Sequence, residues 1–318
     1  MLVGMERIAR LMDSAVGVVF PSAQVVVVDE GRERLAYAVG TTLEQPFDLA
    51  SLTKPLCTAA LVLRRVHAGA LSFANRPRPE STIEQLLAHA GGVPAVLPLG
   101  DPAHPSAAMR RACIERARTV ALDHAPGTRS VYSDLGYILL GDAVERTGSA
   151  LDRAFASEVA RGASVAFGPC AGAAPTEGPT GVVHDDNAKA MCGVAGHAGL
   201  FGDARAVSTL IAAWVDAWHG ETSTFDPALV RRAWEPAGVP GSTWGLGWDH
   251  PSPTSSSAGT AWPSTGVGHL AFTGCSVWID PPRRRWVVLL SNRVHPTRSN
   301  ERIKAFRPAL HEAVVNVL

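Results

Sequence analysis

The sequence predicts an α+β fold, an α/β sandwich in which both ends of the chain build one antiparallel sheet flanked by terminal helices. Three patterns support this: β-branched runs near both ends, helical periodicity in both terminal segments, and mostly helical periodicity from about residue 82 to 240. We expect residues 1–60 and 243–318 to form the sheet domain, and residues 61–242 to form an inserted, mostly helical domain. Because sites commonly lie at domain junctions, we expect the active site between them.

The first part of the chain predicts a helix, a hairpin and a second helix. The opening residues have the apolar spacing of an amphipathic helix. The valine-rich run Ala23–Asp29 is followed by a turn and a second strand, Arg34–Val39, so the two form an antiparallel hairpin. A further helix is expected from Ser51 to about His67, with Gly69 as its C-cap.

The rest of the chain predicts a series of helices, then further strands and a closing helix. The predicted helices are Ile83–Ala88, Ser106–Arg118, Asp134–Thr147, Leu151–Arg161, Ala204–His219, Pro227–Trp234 and Asn300–Val317. The predicted strands are Trp244–Trp248, Gly266–Ala271, Cys275–Ile279 and Trp286–Leu290. Trp244 and Trp248 share one face of their strand and are expected to pack in the core. The stretch Pro251–Pro263 is expected to be a mobile surface loop.

The composition excludes several classes of protein. Hydrophobic residues make up 46% of the chain and charged residues 18%, which excludes global disorder. Lys+Arg and Asp+Glu both number 29, which argues against a nucleic-acid-binding protein or a polybasic membrane binder. No apolar run reaches the roughly 18–20 residues of a membrane helix, and no signal-peptide pattern is present. We expect a cytoplasmic protein without nucleic-acid or membrane partners; the oligomeric state stays open.

The cysteines and histidines give no recognisable metal pattern. Five cysteines are scattered without C-x-x-C spacing, which favours reduced, buried thiols over disulfides or a zinc site. The run His184-Asp185-Asp186-Asn187, with His197 downstream, matches no established zinc spacing. Asp185 to Asn187 can instead cap and order a loop. Glycine-rich phosphate signatures are absent from the sequence, so we expect no nucleotide-dependent chemistry.

Ser51-Leu52-Thr53-Lys54 is an S-x-x-K tetrad at the start of a predicted helix. Residues i and i+3 share a helix face, so the Lys54 amine can approach the Ser51 hydroxyl. A serine alcohol needs an adjacent base at neutral pH, and a lysine serves when burial and neighbouring groups lower its pKa. The helix N-terminus also favours a developing oxyanion. A serine-capped helix with a solvated lysine explains this motif, taken alone, equally well.

Two weaker elements follow. Tyr132 and Asp134 begin a predicted helix, where a phenol can relay protons and a carboxylate can bind a lysine ammonium. Taken alone, Asp134 is better explained as a helix N-cap and Tyr132 as a core residue. His269 lies in the segment Gly268–Gly274, whose backbone N–H groups are suited to a substrate carbonyl, although a lone histidine is more often structural.

In this order and spacing, the three elements resemble the active-site motifs of the penicillin-recognising serine hydrolases. The nearest branch is the class C β-lactamase-like group, which includes D,D-peptidases and carboxylesterases, and the resemblance covers nearly the whole chain. It is carried by the segments FDLASLTKPLCTAALVLRRVHAGAL, IEQLLAHAGGVPA, PGTRSVYSDLGYILLGDAVERTG and GHLAFTGCSVWIDP. The segments VVHDDNAKAMCGVAGHAGLFGDA and LLSNRVHPTRSNERI resemble stretches common in one cell-wall-associated subgroup.

The resemblance implies a serine hydrolase that uses neither metal nor organic cofactor. Ser51 would be the acyl-enzyme nucleophile, with Lys54 and Tyr132 sharing proton transfer. The backbone N–H groups of Ser51 and Phe272 would form the oxyanion hole. His197 would border the cleft and contact substrate, with a structural role nearly as well supported.

One departure from the family pattern concerns proton transfer. Asp134 stands where many members have asparagine. Its negative charge favours the protonated form of Lys54. More of the general-base role would then fall to Tyr132.

A second departure concerns substrate recognition. His269 occupies the position of the family's usual Lys or His, Leu270 replaces a hydroxyl residue, and Ala271 replaces a glycine. A contact to a substrate carboxylate is therefore missing, and we expect weak or no β-lactamase activity. This expectation would change if His269, or an arginine such as Arg293 or Arg298, bound the carboxylate.

The sequence thus predicts two-step acyl transfer on a small ester or a peptidoglycan-derived amide. The alternative is a non-catalytic protein of the same fold that binds a cell-wall peptide. The altered Leu270-Ala271 pair motivates this alternative, and the intact Ser51, Lys54 and Tyr132 argue against it.

Overall fold

The computed structural model describes residues 3–221 and 224–318, so the first two residues of the predicted N-terminal helix lie outside it. The α-helices of the described chain are α1 (Val3–Ala15), α2 (Ala60–His67), α3 (Ile83–Leu87), α4 (Ala107–Thr119), α5 (Asp134–Glu145), α6 (Leu151–Phe155), α7 (Asp186–Ala190), α8 (Ala204–Trp218), α9 (Pro227–Ala233) and α10 (Ile303–Val317). The strands are β1 (Ala23–Asp29), β2 (Arg32–Val39), β3 (Phe47–Asp48), β4 (Val165–Phe167), β5 (Leu200–Gly202), β6 (Val267–Leu270), β7 (Ser276–Asp280) and β8 (Arg285–Ser291). A 3₁₀ turn at Ala50–Leu52 and π-helical segments at Lys54–Ala59 and Ala156–Ala160 complete the regular structure.

Both ends of the chain contribute to one antiparallel sheet, in the order β2-β1-β8-β7-β6. Strand β1 lies inside this sheet, with Val25 opposite Tyr37 on β2 and Leu289 on β8. Helices α1 and α10 contact each other and pack with this sheet in one apolar core. The predicted α+β fold is therefore confirmed.

The run of four valines in β1 is explained by two buried faces. Val25 and Val27 pack in the core formed with the terminal helices, whereas Val26 and Val28 pack in the larger core formed with the helical region. An antiparallel strand with one solvated face would alternate apolar and polar residues. Every residue of β1 is buried, because apolar layers cover both sides of the sheet.

A second, smaller sheet connects the two predicted domains. Its order is β3-β5-β4, so the strand just before Ser51 pairs with β5, a strand of the predicted helical insertion. None of these three strands was predicted, because each is too short to show a periodicity. The domain boundaries at residues 60 and 243 stay a prediction.

Two predictions about Trp244–Trp248 were wrong, namely the strand itself and the core position of Trp244. Trp244–Trp248 is not a strand: Trp244 forms an isolated bridge with Asp249, and Gly247 has a φ of +91° in a tight reversal. Trp248 is buried in the core as expected, but Trp244 lines the cavity beside Ser51. The stretch Pro251–Pro263 is irregular, yet Trp262 is buried, because its ring packs in the core under α10. The predicted mobility of that stretch stays untested.

The cysteines are all unpaired in the structure. Cys57, Cys113 and Cys275 are buried as expected, Cys170 is partly buried and Cys192 is exposed. Within residues 3–221 and 224–318, no helix is long and apolar enough to span a bilayer.

Candidate active site

A cavity of about 470 Å³ opens beside Ser51 at the edge of the five-stranded sheet. Its walls are formed by the segment that carries Ser51, the residues at the start of α5, strand β6 with the turn after it, and helix α10. Prominent lining residues are Ser51, Tyr132, Trp244, His269, Leu270 and Phe272.

Ser51 lies on a strained segment. Ala50, immediately before Ser51, has a φ of +43°, a left-handed conformation that costs a non-glycine residue energy. The buried carboxylate of Asp48 accepts the Ala50 N–H at 2.8 Å and so holds this conformation. Ser51 then lies in the 3₁₀ turn, and the following π-helical segment carries Lys54, whose Nζ donates to Ser51 Oγ at 2.9 Å.

Lys54 is completely buried, and its ammonium is surrounded by oxygen atoms. Besides Ser51 Oγ, Nζ contacts Asp134 Oδ1 at 2.7 Å and the carbonyl oxygen of His197 at 3.3 Å. Burial acts to lower the pKa of Lys54, but the charge of Asp134 and the neighbouring Tyr132 outweigh it and raise the pKa above its ordinary value. At neutral pH this lysine is therefore an ammonium ion.

The phenol of Tyr132 completes the group around Ser51. Its hydroxyl makes hydrogen bonds with Lys54 and Ser51, and the Lys54 ammonium lies 4.7 Å from the centre of its ring. Burial raises the pKa of Tyr132, and the positive charge of Lys54 offsets only part of this rise. The resting site therefore holds both the phenol and the ammonium in their protonated forms.

Asp134 does not cap helix α5. Ser133 is the N-cap residue, since its Oγ accepts the Gly136 N–H at 3.2 Å, and Asp134 is the first residue of the helix. This arrangement leaves the Asp134 carboxylate free to bind Lys54. The capping alternative for Asp134 is therefore wrong.

His269 is a neutral acceptor. Its Nδ1 faces the carbonyl oxygen of Leu270 at 2.8 Å and must donate to it, which leaves Nε2 as a buried acceptor without a hydrogen-bond partner in the described chain. Burial, together with the positive charge of Lys54, lowers the pKa of His269 to about 3. His269 is therefore uncharged at neutral pH and supplies no positive charge for a carboxylate.

The two residues whose N–H groups were predicted to form the oxyanion hole, Ser51 and Phe272, both line this cavity. Among the described residues, neither the Ser51 N–H nor the Phe272 N–H has a hydrogen-bond acceptor. Phe272 lies in the turn after β6 and is 51% exposed, and Leu270 is 36% exposed. The Ala271 side chain is buried in the wall of the cavity.

His197 does not line the cavity as a substrate contact. Its side chain is buried, and its Nε2 lies 2.7 Å from Asp185 Oδ1. Only its backbone carbonyl reaches the site, where it accepts from Lys54. The structural role that the sequence left open is the one the structure shows.

The segment around Asp185 serves to order the chain. Asp185 caps α7 by accepting the Ala188 N–H at 2.7 Å, and Asn187 bonds the main chain at Leu97 and Leu99. Within the described ranges, no group of three or more His, Cys, Asp or Glu side chains is placed to share a metal ion.

Two arginines line the cavity: Arg293, which the sequence analysis named as a possible carboxylate ligand, and Arg307, which it did not name. Arg307 donates to the carbonyls of Ala271 and Cys275 at 2.8 and 2.7 Å, and Arg293 Nε donates to the carbonyl of Phe272 at 2.8 Å. Both guanidinium groups therefore hold the turn that carries the Phe272 N–H. An arginine among the apolar positions of α10 was the available signal for Arg307. Arg298 pairs instead with Glu177.

Known proteins place this arrangement in one family. The sequence profile of the beta-lactamase family matches residues 8–310, so the chain belongs to that family and is a hydrolase. A protein of Escherichia coli K12, provisionally named a D-alanyl-D-alanine carboxypeptidase, is 27% identical over 92% of this chain and 82% of its own. Among solved structures, a penicillin-binding protein homologue from Caulobacter crescentus matches with a TM-score of 0.75 at 18% identity, covering 99% of this chain and 98% of its own. EstCE1, described as a hydrolase with promiscuous acyltransferase activity, matches with a TM-score of 0.75 at 19% identity, covering 97% and 98%.

Proposed function

We propose that this protein is a serine acyl hydrolase in which Ser51 forms a transient acyl-enzyme. The observation that carries the proposal is the contact of Ser51 Oγ with Lys54 Nζ at 2.9 Å, within a buried cluster completed by Tyr132 and Asp134. A serine hydroxyl bonded to a titratable pair, beside two unpaired N–H donors, is the arrangement that acyl transfer needs.

The reaction runs from the minority form of the site that has lost one proton from the Tyr132–Lys54 pair. This pair accepts the Ser51 hydroxyl proton while Oγ bonds to the substrate carbonyl carbon. The N–H groups of Ser51 and Phe272 stabilise the resulting oxyanion. As the intermediate collapses, the bond to the leaving alkoxide or amine breaks, and that group takes the proton from the pair. Water repeats the sequence on the acyl-enzyme, releases the acid and restores Ser51.

The proposed substrate is a small ester or a peptidoglycan-derived amide, with weak or no turnover of β-lactams. The neutral His269 and the apolar Leu270 offer no charge or hydroxyl for a substrate carboxylate. Arg293 and Arg307 direct donors to main-chain carbonyls of the neighbouring turn. Small neutral esters need no such contact. The amide alternative follows the name of the 27% identical E. coli relative.

The first test is the nucleophile itself. Ser51→Ala should reduce hydrolysis of p-nitrophenyl acetate by at least about a thousandfold with an unchanged circular dichroism spectrum, because no other described group replaces the serine oxygen. Mass spectrometry after treatment with a fluorophosphonate should show one adduct, on Ser51. Ser208→Ala, which removes a buried hydroxyl bonded to Trp286 Nε1 at 2.7 Å, is the matched control and should remain active.

Retention of most activity in Ser51→Ala would overturn the proposal. Wild-type protein that neither turns over esters nor reacts with the fluorophosphonate would favour the alternative, a cell-wall-peptide-binding protein with the same fold.

A further inference from the structure

Asp48 lies between the two segments that carry the oxyanion-hole donors. It belongs to β3, pairs there with Phe201 and is buried. One carboxylate oxygen accepts the Ala50 N–H at 2.8 Å, and the other accepts the His184 N–H at 2.6 Å. Both oxygens of Asp48 are therefore bound to main chain, which fixes the residue just before Ser51.

The backbone carbonyl of Asp48 reaches the other segment. It accepts a hydrogen bond of 2.8 Å from Thr273 Oγ1, and Thr273 directly follows Phe272. The Cys275 thiol makes a longer contact of 3.6 Å with the same carbonyl. Thr273 is buried, so its hydroxyl has no water to bond instead.

The turn that holds Thr273 has little freedom of its own. Its carbonyl accepts the Arg293 N–H at 3.0 Å, and the next residue, Gly274, has a φ of +108°. A Cβ atom at Gly274 would lie 2.1 Å from Ser291 Oγ. The Phe272 N–H is therefore fixed within the turn. Any change in the position of the turn relative to Asp48 would move this N–H group together with the rest of the turn.

We propose that Asp48 and Thr273 form a clasp that sets the spacing between the Ser51 and Phe272 N–H groups, and that Thr273 is thus a positioning residue for transition-state stabilisation. The inference rests on the proposed function of Ser51. Oxyanion stabilisation requires both donors at about 2.7–3.1 Å from one oxygen, and the two donors come from opposite ends of the chain. The hydrogen bond between Thr273, which follows Phe272, and Asp48, three residues before Ser51, links the two segments and so controls that distance.

Thr273→Val tests the clasp, because it keeps the shape of the side chain and removes only the hydroxyl. With p-nitrophenyl acetate, we expect kcat to fall about tenfold while KM changes by less than about twofold, since the ground-state ester does not need the oxyanion hole. Thr273→Ser keeps the hydroxyl and should restore most of kcat. Ser208→Ala should lower the melting temperature without lowering kcat.

Asp48→Asn is the second variant. It keeps the volume but places an amide N–H₂ against the Ala50 or His184 N–H, and it should also lower kcat at nearly constant KM. A kcat in Thr273→Val within about twofold of wild type would overturn the clasp. So would a Thr273→Ser variant whose kcat is as low as that of Thr273→Val. If the valine variant does not fold, a wild-type kcat in Asp48→Asn would overturn the clasp instead. These outcomes presuppose wild-type turnover and a fluorophosphonate adduct on Ser51, whose absence would instead overturn the proposed function.

Discussion

The two walls of the cavity beside Ser51 differ in how their polar groups are paired. The inner wall consists of the lining residues Ser51 and Tyr132 together with Lys54 and Asp134 behind them, and the four contact one another through hydrogen bonds and an ion pair. The sheet-edge wall, residues 269–272, presents a neutral histidine, a half-exposed leucine and a backbone N–H without an acceptor. The polar groups of the inner wall thus bond one another, whereas the sheet-edge wall has a donor left for a ligand.

The difference follows from the cost of burying charge. A buried ammonium is stable only beside an anionic or hydrogen-bonding partner, so a change at any residue of the inner wall affects the others. Leu270 is partly exposed and bonded to nothing through its side chain, so it can change without disturbing Lys54. Under the proposed function, catalysis belongs to the inner wall and substrate recognition to the sheet-edge wall, so substitutions on the two walls should have separable effects.

Lys54→Met should have the larger effect, because it removes the proton carrier of the inner wall. We expect kcat/KM for p-nitrophenyl acetate to fall by about 10²–10⁴-fold, the usual contribution of a general base. Lys189→Met, which breaks the surface pair with Asp186, is the matched control and should stay within about twofold of wild type. A loss of less than about tenfold in Lys54→Met would show that Tyr132 serves without the lysine.

Leu270→Thr should change recognition and leave the chemistry alone. In the wild type, we expect kcat/KM for short acyl esters to exceed that for nitrocefin by at least about tenfold. A hydroxyl that bonds a charged carboxylate contributes about 1.5–3 kcal/mol, so Leu270→Thr should raise nitrocefin turnover by one to two powers of ten with ester turnover unchanged.

Leu270→Val is the matched control, since valine has the shape of threonine without the hydroxyl, and it should not raise nitrocefin turnover. Wild-type nitrocefin turnover equal to ester turnover would contradict the separation of the walls. A selective loss of that turnover in Arg293→Gln would then identify Arg293 as the carboxylate ligand.

Much of the fold was predictable because the signals are local. The hairpin β1–β2, the sequence of helices and the closing helix each have a periodicity or a turn residue in their own segment. The prediction of a strand at Trp244–Trp248 was wrong because two tryptophans four residues apart can also flank a tight reversal, here at Gly247. Strands of two or three residues, such as β3 and β5, carry no pattern and form through pairing with distant segments.

The candidate site likewise contains residues that local motifs predict and residues that they do not. Ser51, Lys54, Tyr132 and Asp134 stand in short motifs, and the structure brings all four together. Asp48 and Thr273 stand in segments that carry the family resemblance, but, like Arg307, they act through contacts with segments far away in the sequence, which no local pattern predicts. The side chain of His197 was misplaced because the glycine-rich turn around it says nothing about Asp185, which binds it.

Asp134→Asn gives the smallest effect, and it examines coupling inside the inner wall. Asp134 raises the pKa of Lys54 above its ordinary value, and the pKa of Tyr132 is raised as well, so the reactive form with one proton fewer is scarce at neutral pH. The kcat/KM of the wild type for p-nitrophenyl acetate, corrected for spontaneous hydrolysis, should therefore rise by about tenfold per pH unit between pH 7 and 9. Removing the carboxylate charge lowers the pKa of Lys54, so the profile of Asp134→Asn should move toward lower pH. The shift increases the reactive fraction at pH 7, while the loss of a charged partner weakens the orientation of Lys54, so the net rate change there should stay within about tenfold.

Asp186→Asn, at the surface pair with Lys189, controls for a general charge effect and should leave the profile in place. An unshifted profile in Asp134→Asn would mean that Tyr132 alone sets the pH dependence and that the inner wall is less coupled than its contacts indicate.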